Sequence, residues 1–239
     1  MTNSVYATVS RQIALTQELS SIANNIANAD TSGFRRDEFI FTEYVNALRG
    51  EPSLSQTQIG ARAISRAQGE MIETGASLDV AIGGGGFFSV ETPRGPRLTR
   101  AGSFTLNEQG VLTTLSGDIV SGEGGGPIAI PAATRSITIA ADGSIAADGE
   151  QVGRFEIVDA DVITLEREGA DLFRATTGTV AISDFKLRQG FLESANVNPV
   201  LEMSRMIELQ RAFEVGQQLL SEEFQRSSTA IDAFGAGIR

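Results

Sequence analysis

Residues 21–34 read S-I-A-N-N-I-A-N-A-D-T-S-G-F, and this stretch joins a helix to a tight turn. Its first half continues an apolar stripe with spacings of four, three and four, at Leu15, Leu19, Ile22 and Ile26. Residues so spaced share one helix face. In the second half, short polar side chains compete with the helical ladder, and Gly33 permits a positive φ. The sequence therefore predicts a helix over about residues 4–28 that ends in a turn.

Asparagine occurs three times within this stretch, at Asn24, Asn25 and Asn28. Asparagine is a mediocre helix former, so three of them near a helix end indicate that their amides are used at a contact. Phe34, just after the turn, provides an apolar anchor for the departing chain.

Composition excludes several functional classes. The chain has 239 residues, 19 basic and 30 acidic, for a formal net charge of -11. This charge argues against a general nucleic-acid binder, which would carry an excess of Lys and Arg. There is no His, Cys or Trp, which excludes thiolate or imidazole zinc sites, cysteine nucleophiles and Ser-His-Asp triads. We predict no catalytic, metal or cofactor residues.

Membrane insertion is not expected, because no apolar run approaches the length of a membrane span. The first residues lack a basic region followed by an apolar core, so we expect no cleaved signal peptide.

The pattern becomes β between Ser77 and about Ile182. Short strands are predicted at residues 78–82, 87–90, 98–106, 111–115, 127–130, 137–140, 155–158, 162–165 and 179–182. Asp142-Gly143 and Asp148-Gly149 are strong turn signals. Many short strands with turns predict a sandwich or barrel-like all-β domain. The preceding residues, 35–75, show no sustained period and are interpreted as a connecting arm.

A second long helix is predicted to begin after Asn198, which suits an N-cap, with Pro199 at the first helical position. A heptad-like spacing of three and four then follows at Met203, Met206, Gln210, Phe213, Gln217, Leu220, Phe224, Ser227, Ile231 and Phe234.

The predicted fold class is α+β. Residues 1–33 and 188–239 form a discontinuous domain of paired terminal helices (a coiled coil), 34–76 an extended arm, and 77–187 an inserted all-β domain. Such a helix pair leaves its outer apolar residues exposed, which predicts lateral packing against other subunits. On periodicity alone, a monomer whose helices fold back onto the β domain remains equally open.

Five passages, in order along nearly the whole chain, resemble the flagellar axial proteins of rod and hook. They are A-N-N-I-A-N-A-D-T-S-G-F at 23–34, L-D-V-A-I running into G-F-F-S-V at 78–90, L-T-R-A-G-S-F-T-L at 98–106, Q-G-F-L-E with N-V-N at 189–198, and M-I-E-L-Q-R-A-F-E at 206–214. The opening S-R-Q-I-A-L at 10–15 and the short chain favour the proximal rod. One departure is Gly83-Gly84-Gly85, where the family often has an acidic residue between glycines.

The resemblance implies a structural subunit, not an enzyme, of a tubular assembly whose inner wall is the paired terminal helices. Implied partners are copies of itself, other proximal and distal rod subunits, and the flagellar type III export apparatus. The implied location is the periplasmic rod of the basal body.

Two alternatives remain open. One is the distal rod or another axial protein. The other is a secreted β-sandwich that hydrolyses or binds carbohydrate through paired carboxylates among Asp142, Asp148, Asp159 and Asp161.

The predicted subunit interface combines the helix stripes with the polar turn residues. It comprises Leu15, Leu19, Ile22, Asn24, Asn25, Ile26, Asn28, Thr31, Gly33, Phe34, Asn196, Asn198, Met203, Met206, Gln210, Phe213, Gln217, Leu220, Phe224 and Ile231.

Overall fold

The computed structural model describes residues 2–46, 54–161 and 163–236, with the side chains of 5–39, 63–161 and 163–229. The chain forms two compact units, each discontinuous in sequence. The helical unit comprises Met1–Ile26, Asp37–Arg62 and Asn198–Arg239. The β unit comprises Ala27–Arg36 and Ala63–Val197.

Two long helices confirm the predicted α+β class. Helix α1 spans Thr2–Ala27 and helix α2 spans Pro199–Ala236. The predicted start of α2 is also confirmed. The side-chain Oδ1 of Asn198 accepts hydrogen bonds from the backbone N–H groups of Val200 and Leu201, at 3.1 and 3.2 Å. Pro199 follows as the first helical residue, where its missing N–H has no helical partner to lose.

The arm predicted from residues 34–76 contains regular structure. Strands β1 (Asp37–Asn46) and β2 (Leu54–Ile64) pair as a two-stranded sheet. Strand β3 (Met71–Glu73) pairs with a later strand near residue 192. These strands are extended, and that residues 34–76 act as a connecting arm stays a prediction. Backbone pairing fixes these strands, although their mixed polar and apolar residues show little alternation.

The β unit holds fifteen further described strands, all short. They are β4 (Val80–Gly83), β5 (Phe87–Thr92), β6 (Gly95–Thr99), β7 (Phe104–Leu106), β8 (Leu112–Thr114), β9 (Ile119–Val120), β10 (Ile137–Ile139), β11 (Ser144–Ala147), β12 (Glu150–Arg154), β13 (Ile157–Asp159), β14 (Leu165–Glu168), β15 (Leu172–Ala175), β16 (Val180–Ala181), β17 (Lys186–Gln189) and β18 (Phe191–Glu193).

The main sheet has nine antiparallel strands. Seven follow the order β14-β15-β6-β5-β9-β8-β7, while β13 pairs with both β5 and β16. A three-stranded sheet β10-β11-β12 and the pairs β4-β17 and β3-β18 complete the unit. Because β17 and β18 pair with β4 and β3, residues 188–197 belong to the β unit, whereas the sequence analysis grouped them with the terminal helices.

Strand β5 supplies side chains to two apolar clusters, one on each face. Phe88 and Val90 lie in the larger cluster, where the Phe88 ring is 5.0 Å from that of Phe104 and 5.4 Å from that of Phe155. Phe87 lies in the smaller cluster, 5.6 Å from the ring of Phe173. Alternate strand residues point to opposite faces, so the neighbours Phe87 and Phe88 are buried on opposite sides of the sheet.

Several predicted strands differ from the observed ones. The run 98–106 is broken between Thr99 and Phe104, because Arg100 leaves the ladder for a buried polar cluster described below. Residues 127–130 form isolated bridges instead of a strand. For the predicted strand at 162–165, Val162 lies outside the described residues, and the strand observed there begins at Leu165.

Both predicted Asp-Gly turns are confirmed. Gly143 and Gly149 each have a φ of 90°, and Asp148 a φ of 51°. These turns join β10 to β11 and β11 to β12, whose antiparallel pairing they close.

Candidate assembly surfaces

Helix α1 buries the predicted apolar stripe within the helical unit. Leu15 and Ile22 are buried, and Leu19 and Ile26 are half-buried. These residues recur at helical spacing, so one face of α1 is covered in the single chain.

Among the described residues, hydrogen bonds from Gln12 and from Asn25 connect α1 to α2. The side-chain amide Nε2 of Gln12 donates to the carbonyl oxygen of Phe213 at 3.0 Å. The Asn25 amide Nδ2 donates to the Glu202 carboxylate at 3.4 Å. Since the partner number falls as the α1 number rises, the helices run antiparallel. A Cβ at Gly216 would stand 1.8 Å from Gln12 Nε2, so glycine makes this approach possible.

The residues of α2 that face α1 differ in part from the predicted ones. Its least exposed residues recur at spacings of four and three, at Glu202, Met206, Leu209, Phe213, Gly216 and Leu220. Three of these were predicted, at Met206, Phe213 and Leu220. The sequence analysis missed the other three, which lie one residue before Met203, Gln210 and Gln217.

Asn25 shows what one predicted amide does. Its Oδ1 accepts from the backbone N–H of Asp37 at 3.1 Å, and its Nδ2 donates to the Asp37 carbonyl oxygen at 3.3 Å. With the bond to Glu202, the buried amide links α1, the start of β1 and the first turn of α2. Asn24 also donates to the Asp37 carboxylate, at 3.4 Å.

A second apolar surface on each helix remains exposed. On α1 it comprises Val5, Tyr6, Val9 and Ile13. On α2 it comprises Val200, Leu201, Met203, Ile207, Val215 and Leu219. Val200, the most exposed of these, has 70% of its surface accessible. We call these two groups the outer helix surfaces. Clustered exposed apolar side chains are typical of protein-binding surfaces.

In the β unit, the polar turn after α1 is bound to the segment that leads into α2. The backbone N–H of Gly33 donates to the Glu193 carbonyl oxygen at 2.7 Å, as does the Ser32 hydroxyl at 3.0 Å. The Asn196 N–H donates to the Phe34 carbonyl oxygen at 3.3 Å, and Asn196 Oδ1 accepts from the Arg36 N–H at 2.6 Å. We call this arrangement the clasp.

Gly33 is required by the clasp. Its φ is +72°, and an added Cβ would lie 2.3 Å from backbone atoms of Arg100 and Ala101. The predicted positive φ is therefore confirmed. Phe34 next to it is fully buried, with the Arg167 guanidinium 4.3 Å from its ring centroid. Phe34 is the predicted apolar anchor, and residues of this same chain cover it.

A buried ionic cluster lies beneath the clasp. The Glu193 carboxylate, 1% exposed, accepts from Arg100 Nε and Nη2 at 3.0 and 2.5 Å, and Arg35 Nη2 lies 2.9 Å away. Arg100 also donates to the carbonyl oxygens of Ile82, Gly84 and Gly86. Burial lowers the pKa of Arg35 to about 10, with the Arg100 charge adding to the shift and Glu193 opposing it.

This cluster corrects one expectation from the sequence. From the sequence alone, the small basic run of Arg94, Arg97 and Arg100 predicts a solvated strand edge or a subunit contact. Arg97 and Arg100 are buried, and only Arg94 of the three is exposed. Arg97 binds the Glu168 carboxylate through Nε at 3.1 Å and Nη2 at 3.2 Å. An arginine on a strand can point into the protein where a carboxylate pairs with it. The local sequence does not show where that carboxylate lies.

The predicted interface residues thus fall into three groups. One group is covered within its own unit, comprising Leu15, Ile22, Asn25, Gly33 and Phe34. Another is half-buried, comprising Leu19, Asn24, Ile26, Asn28, Thr31, Asn196, Met206, Phe213 and Leu220. A third is exposed, comprising Asn198, Met203, Gln210, Gln217 and Phe224. The side chain of Ile231 lies outside the described residues. Contact of any of these with another subunit stays a prediction.

Neither helix, over its described residues, is apolar for long enough to cross a membrane.

Three family models match the chain in succession. Residues 6–35 match the flagella basal body rod protein model, which covers most of α1 and the clasp turn. Residues 81–147 match the flagellar hook protein FlgE/F/G D1 domain. Residues 188–233 match the flagellar basal body rod FlgEFG protein C-terminal model.

Similar proteins match over nearly their full length. A flagellar basal-body rod protein FlgF from Caulobacter vibrioides is 37% identical, over 98% of this chain and 99% of that protein. FlgF from Mesorhizobium japonicum is 36% identical over 99% of both chains. A flagellar basal-body rod protein FlgG from Bacillus subtilis is 31% identical, over 92% of this chain and 95% of that one.

Proposed function

The chain belongs to the family of the flagellar basal-body rod protein FlgF, and we propose that it assembles into the rod through its terminal helices. It is a structural subunit of the flagellar basal-body rod. The finer proposal is that it occupies the proximal rod and polymerises into a shaft that transmits torque. The observation that carries this proposal is the pair of outer helix surfaces, which remain exposed after α1 and α2 have met.

The first step of assembly is an antiparallel coiled coil within one subunit. The four-three spacing of the covered α2 face, the Gln12–Phe213 bond and the close approach at Gly216 support it. Gln12 lies between the two helices, where a polar side chain lowers stability but fixes their register. Its amide reaches the Phe213 carbonyl oxygen in one alignment of the helices only. The hydrogen bond from Asn25 to Glu202 fixes the same register at the other end.

The second step joins subunits through the outer helix surfaces. Burying one Leu, Ile or Phe side chain contributes roughly 1.5–3 kcal/mol, so several such residues per helix can hold a lateral contact. Partners with apolar helices of the same kind fit these surfaces. We therefore propose copies of this chain and other proximal and distal rod subunits as the neighbours.

The family also suggests where and how the subunit is delivered. We propose a final position in the periplasmic part of the basal body. We further propose delivery by the flagellar export apparatus, without a cleaved signal peptide.

The test replaces single exposed apolar residues by aspartate. Ile13→Asp and Val215→Asp place a charge on the outer surface of α1 and α2, respectively, where the native side chains are 57% and 65% exposed. We expect normal folding by circular dichroism, but loss of the protein from purified basal bodies and loss of swimming. Burial of the new carboxylate at a subunit contact would be strongly unfavourable.

The matched control is Leu115→Asp, since Leu115 is 76% exposed but lies in a turn of the β unit. This variant should enter basal bodies normally. Normal rods with either helix variant would contradict the assembly proposal. Equal loss with all three variants would show a general effect of surface charge instead.

A further inference from the structure

A groove of about 260 Å³ opens on the surface of the β unit, beside the clasp. On one side it is bounded by the turn after α1, with Ala29 and Asp30. On the other side it is bounded by the paired strands β3 and β18, where Ile72 stands directly opposite Leu192. A water molecule takes up about 30 Å³ in the liquid, so the groove has room for a side chain.

The floor of this groove is apolar and open to solvent. Ile72 has 54% of its surface accessible, whereas Leu192 and Ala29 are half-buried. An isoleucine so exposed is stabilised when another apolar side chain covers it, because apolar surface is then removed from water. The groove therefore favours a partner that brings an apolar side chain.

Asp30 gives the rim of the groove a negative charge. It is exposed, and no ion pair within the described residues holds its carboxylate. Glu73, at the end of β3, is exposed as well. The Glu193 carboxylate is already bound, because Arg35 and Arg100 pair with it inside the buried ionic cluster. The groove therefore favours a partner that brings a cation beside its apolar side chain.

Helix α2 carries this combination on its outer surface. Arg211 is exposed, and one turn before and after it stand Ile207 and Val215, which are 50% and 65% exposed. Residues four apart line up as a ridge along a helix, and this one is about 12 Å long. We call Ile207, Arg211 and Val215 the ridge. No other described arginine of the two helices has an exposed large apolar residue four positions away on both sides.

We infer that the ridge of a second copy of this chain docks in this groove, with Arg211 paired with Asp30 and an apolar ridge residue covering Ile72. Charge complementarity favours this occupant, because the groove is acidic where the ridge is basic. Both surfaces are exposed in the single chain. The ridge is part of the outer surface of α2, which we propose to lie between subunits. The inference therefore rests on the proposed function and names what that surface meets.

Groove and ridge are different surfaces of the same chain, and this decides the geometry of the contact. A contact between unlike surfaces is heterologous, so a pair of copies keeps one groove and one ridge free. Further copies can therefore add in the same way, as a ring or a helical filament requires.

The first experiment exchanges the two charges. Asp30→Arg and Arg211→Asp each bring like charges together between copies. Sedimentation of the concentrated full-length protein at low ionic strength, where surface charges are least screened, should show self-association about tenfold weaker for each variant. An equal mixture of the two variants should restore it to within about threefold, because each variant supplies the charge that the other lacks. Glu108→Arg, exposed in a turn of the β unit, is the control and should associate as the wild type does.

Two results would overturn the pairing. One is wild-type association of both single variants. The other is a mixture that stays as weak as its components, because a charge pair within one chain cannot be repaired by a second chain. The chain that carries both changes should also regain association, which separates a lost contact from a lost fold.

The second experiment tests the apolar floor of the groove. Ile72→Gln should weaken self-association by about tenfold, because the apolar contact is lost. The matched control is Ile163→Gln, since Ile163 is 58% exposed in the β unit but does not line the groove. This control should associate normally. Equal association of the two variants would overturn the groove as the docking site.

Incorporation into basal bodies separates this inference from the proposed function. If Ile13→Asp is lost from basal bodies while Asp30→Arg and Ile72→Gln enter normally, the assembly proposal stands and the groove inference fails alone. If Ile13→Asp also enters normally, the assembly proposal fails and the groove inference fails with it. Loss of all three variants, together with restored association in the charge-exchanged mixture, supports both.

Discussion

Replacing Glu193 by glutamine is expected to destabilise the β unit by about 3–5 kcal/mol, the usual cost of breaking a buried ion pair. The carboxylate accepts from Arg100 Nε and Nη2, from Arg35 and from the Gly69 N–H, the last at 3.1 Å. Glutamine keeps the shape and one acceptor oxygen but brings an NH₂ donor against two guanidinium groups. Both arginines are then left buried with a net positive charge that has lost its partner.

The size of the effect allows a direct measurement. For domains of roughly 150–250 residues, 1 kcal/mol shifts the melting temperature by about 2–4 °C, so a fall of about 6–20 °C follows. Thermal unfolding can be monitored by circular dichroism. Hydrogen exchange of peptides from residues 80–106 reports on the β unit separately from the helices.

Glu150→Gln is the matched control, because Glu150 is exposed on β12. It should leave the melting temperature within a degree or so of wild type, since surface changes away from special features typically stay within about 0.5 kcal/mol. A loss below about 1 kcal/mol for Glu193→Gln would refute the reasoning. It would mean that Arg35 and Arg100 are adequately solvated without the carboxylate.

Four further outcomes are expected. Gly33→Ala should destabilise the β unit by more than Gly117→Ala: both glycines have positive φ, about 1–3 kcal/mol of strain in each case, but only at Gly33 does the new Cβ clash with facing backbone. Asn25→Ala should destabilise the helical unit by about 1–3 kcal/mol, measured by urea unfolding at 222 nm, because the buried hydrogen bonds of its amide to Asp37 and Glu202 are lost. Burial raises the pKa of Glu18 above 4.5, while the charge of Arg205 acts in the opposite direction, so the ionised carboxylate opposes folding. Glu18→Gln should therefore raise the melting temperature at pH 7. Below pH 4.5 the wild-type carboxyl is protonated in the folded and the unfolded protein, and the difference in melting temperature should disappear. The hydrogen bond from Arg97 lowers the pKa of Glu168 below 4.5, so the ionised carboxylate stabilises the folded protein above pH 4.5 and this stabilisation is lost as the pH falls through the lowered value. The melting temperature of Glu168→Gln, measured at a series of pH values, should fall less on acidification than that of the wild type.

Features set by neighbours in sequence were predictable. The cap at Asn198, the proline after it and the glycine at the end of the clasp turn depend on local backbone geometry, and each is where the sequence indicated. The Asp-Gly turns are correct for the same reason. The pairing of β1 with β2 was not predicted, because neither strand shows a sustained alternation of polar and apolar residues.

The buried ionic cluster could not be predicted, since Arg100 and Glu193 are 93 residues apart and nothing local marks either as buried. The phase of α2 failed for a different reason. Met206, Phe213 and Leu220 fit two different heptad patterns. The predicted pattern adds Met203, Gln210 and Gln217, and the observed pattern adds the residue before each of these. Apolarity favours Met203 over Glu202, but it would also have favoured Leu209 over the predicted Gln210. The prediction overlooked Gly216, whose missing side chain makes room for Gln12.

The clasp has a mechanical consequence. The chain first enters the β unit at Ala27 and finally leaves it at Val197, and close to these ends the segments around Gly33 and Asn196 are bound to each other by the hydrogen bonds of the clasp. A pulling force applied between these two segments is carried by the hydrogen bonds of the clasp, so it does not stretch the nine-stranded sheet. The strands of that sheet therefore lie outside the segments that carry this force. They and their turns can vary in length without changing the hydrogen bonds of the clasp.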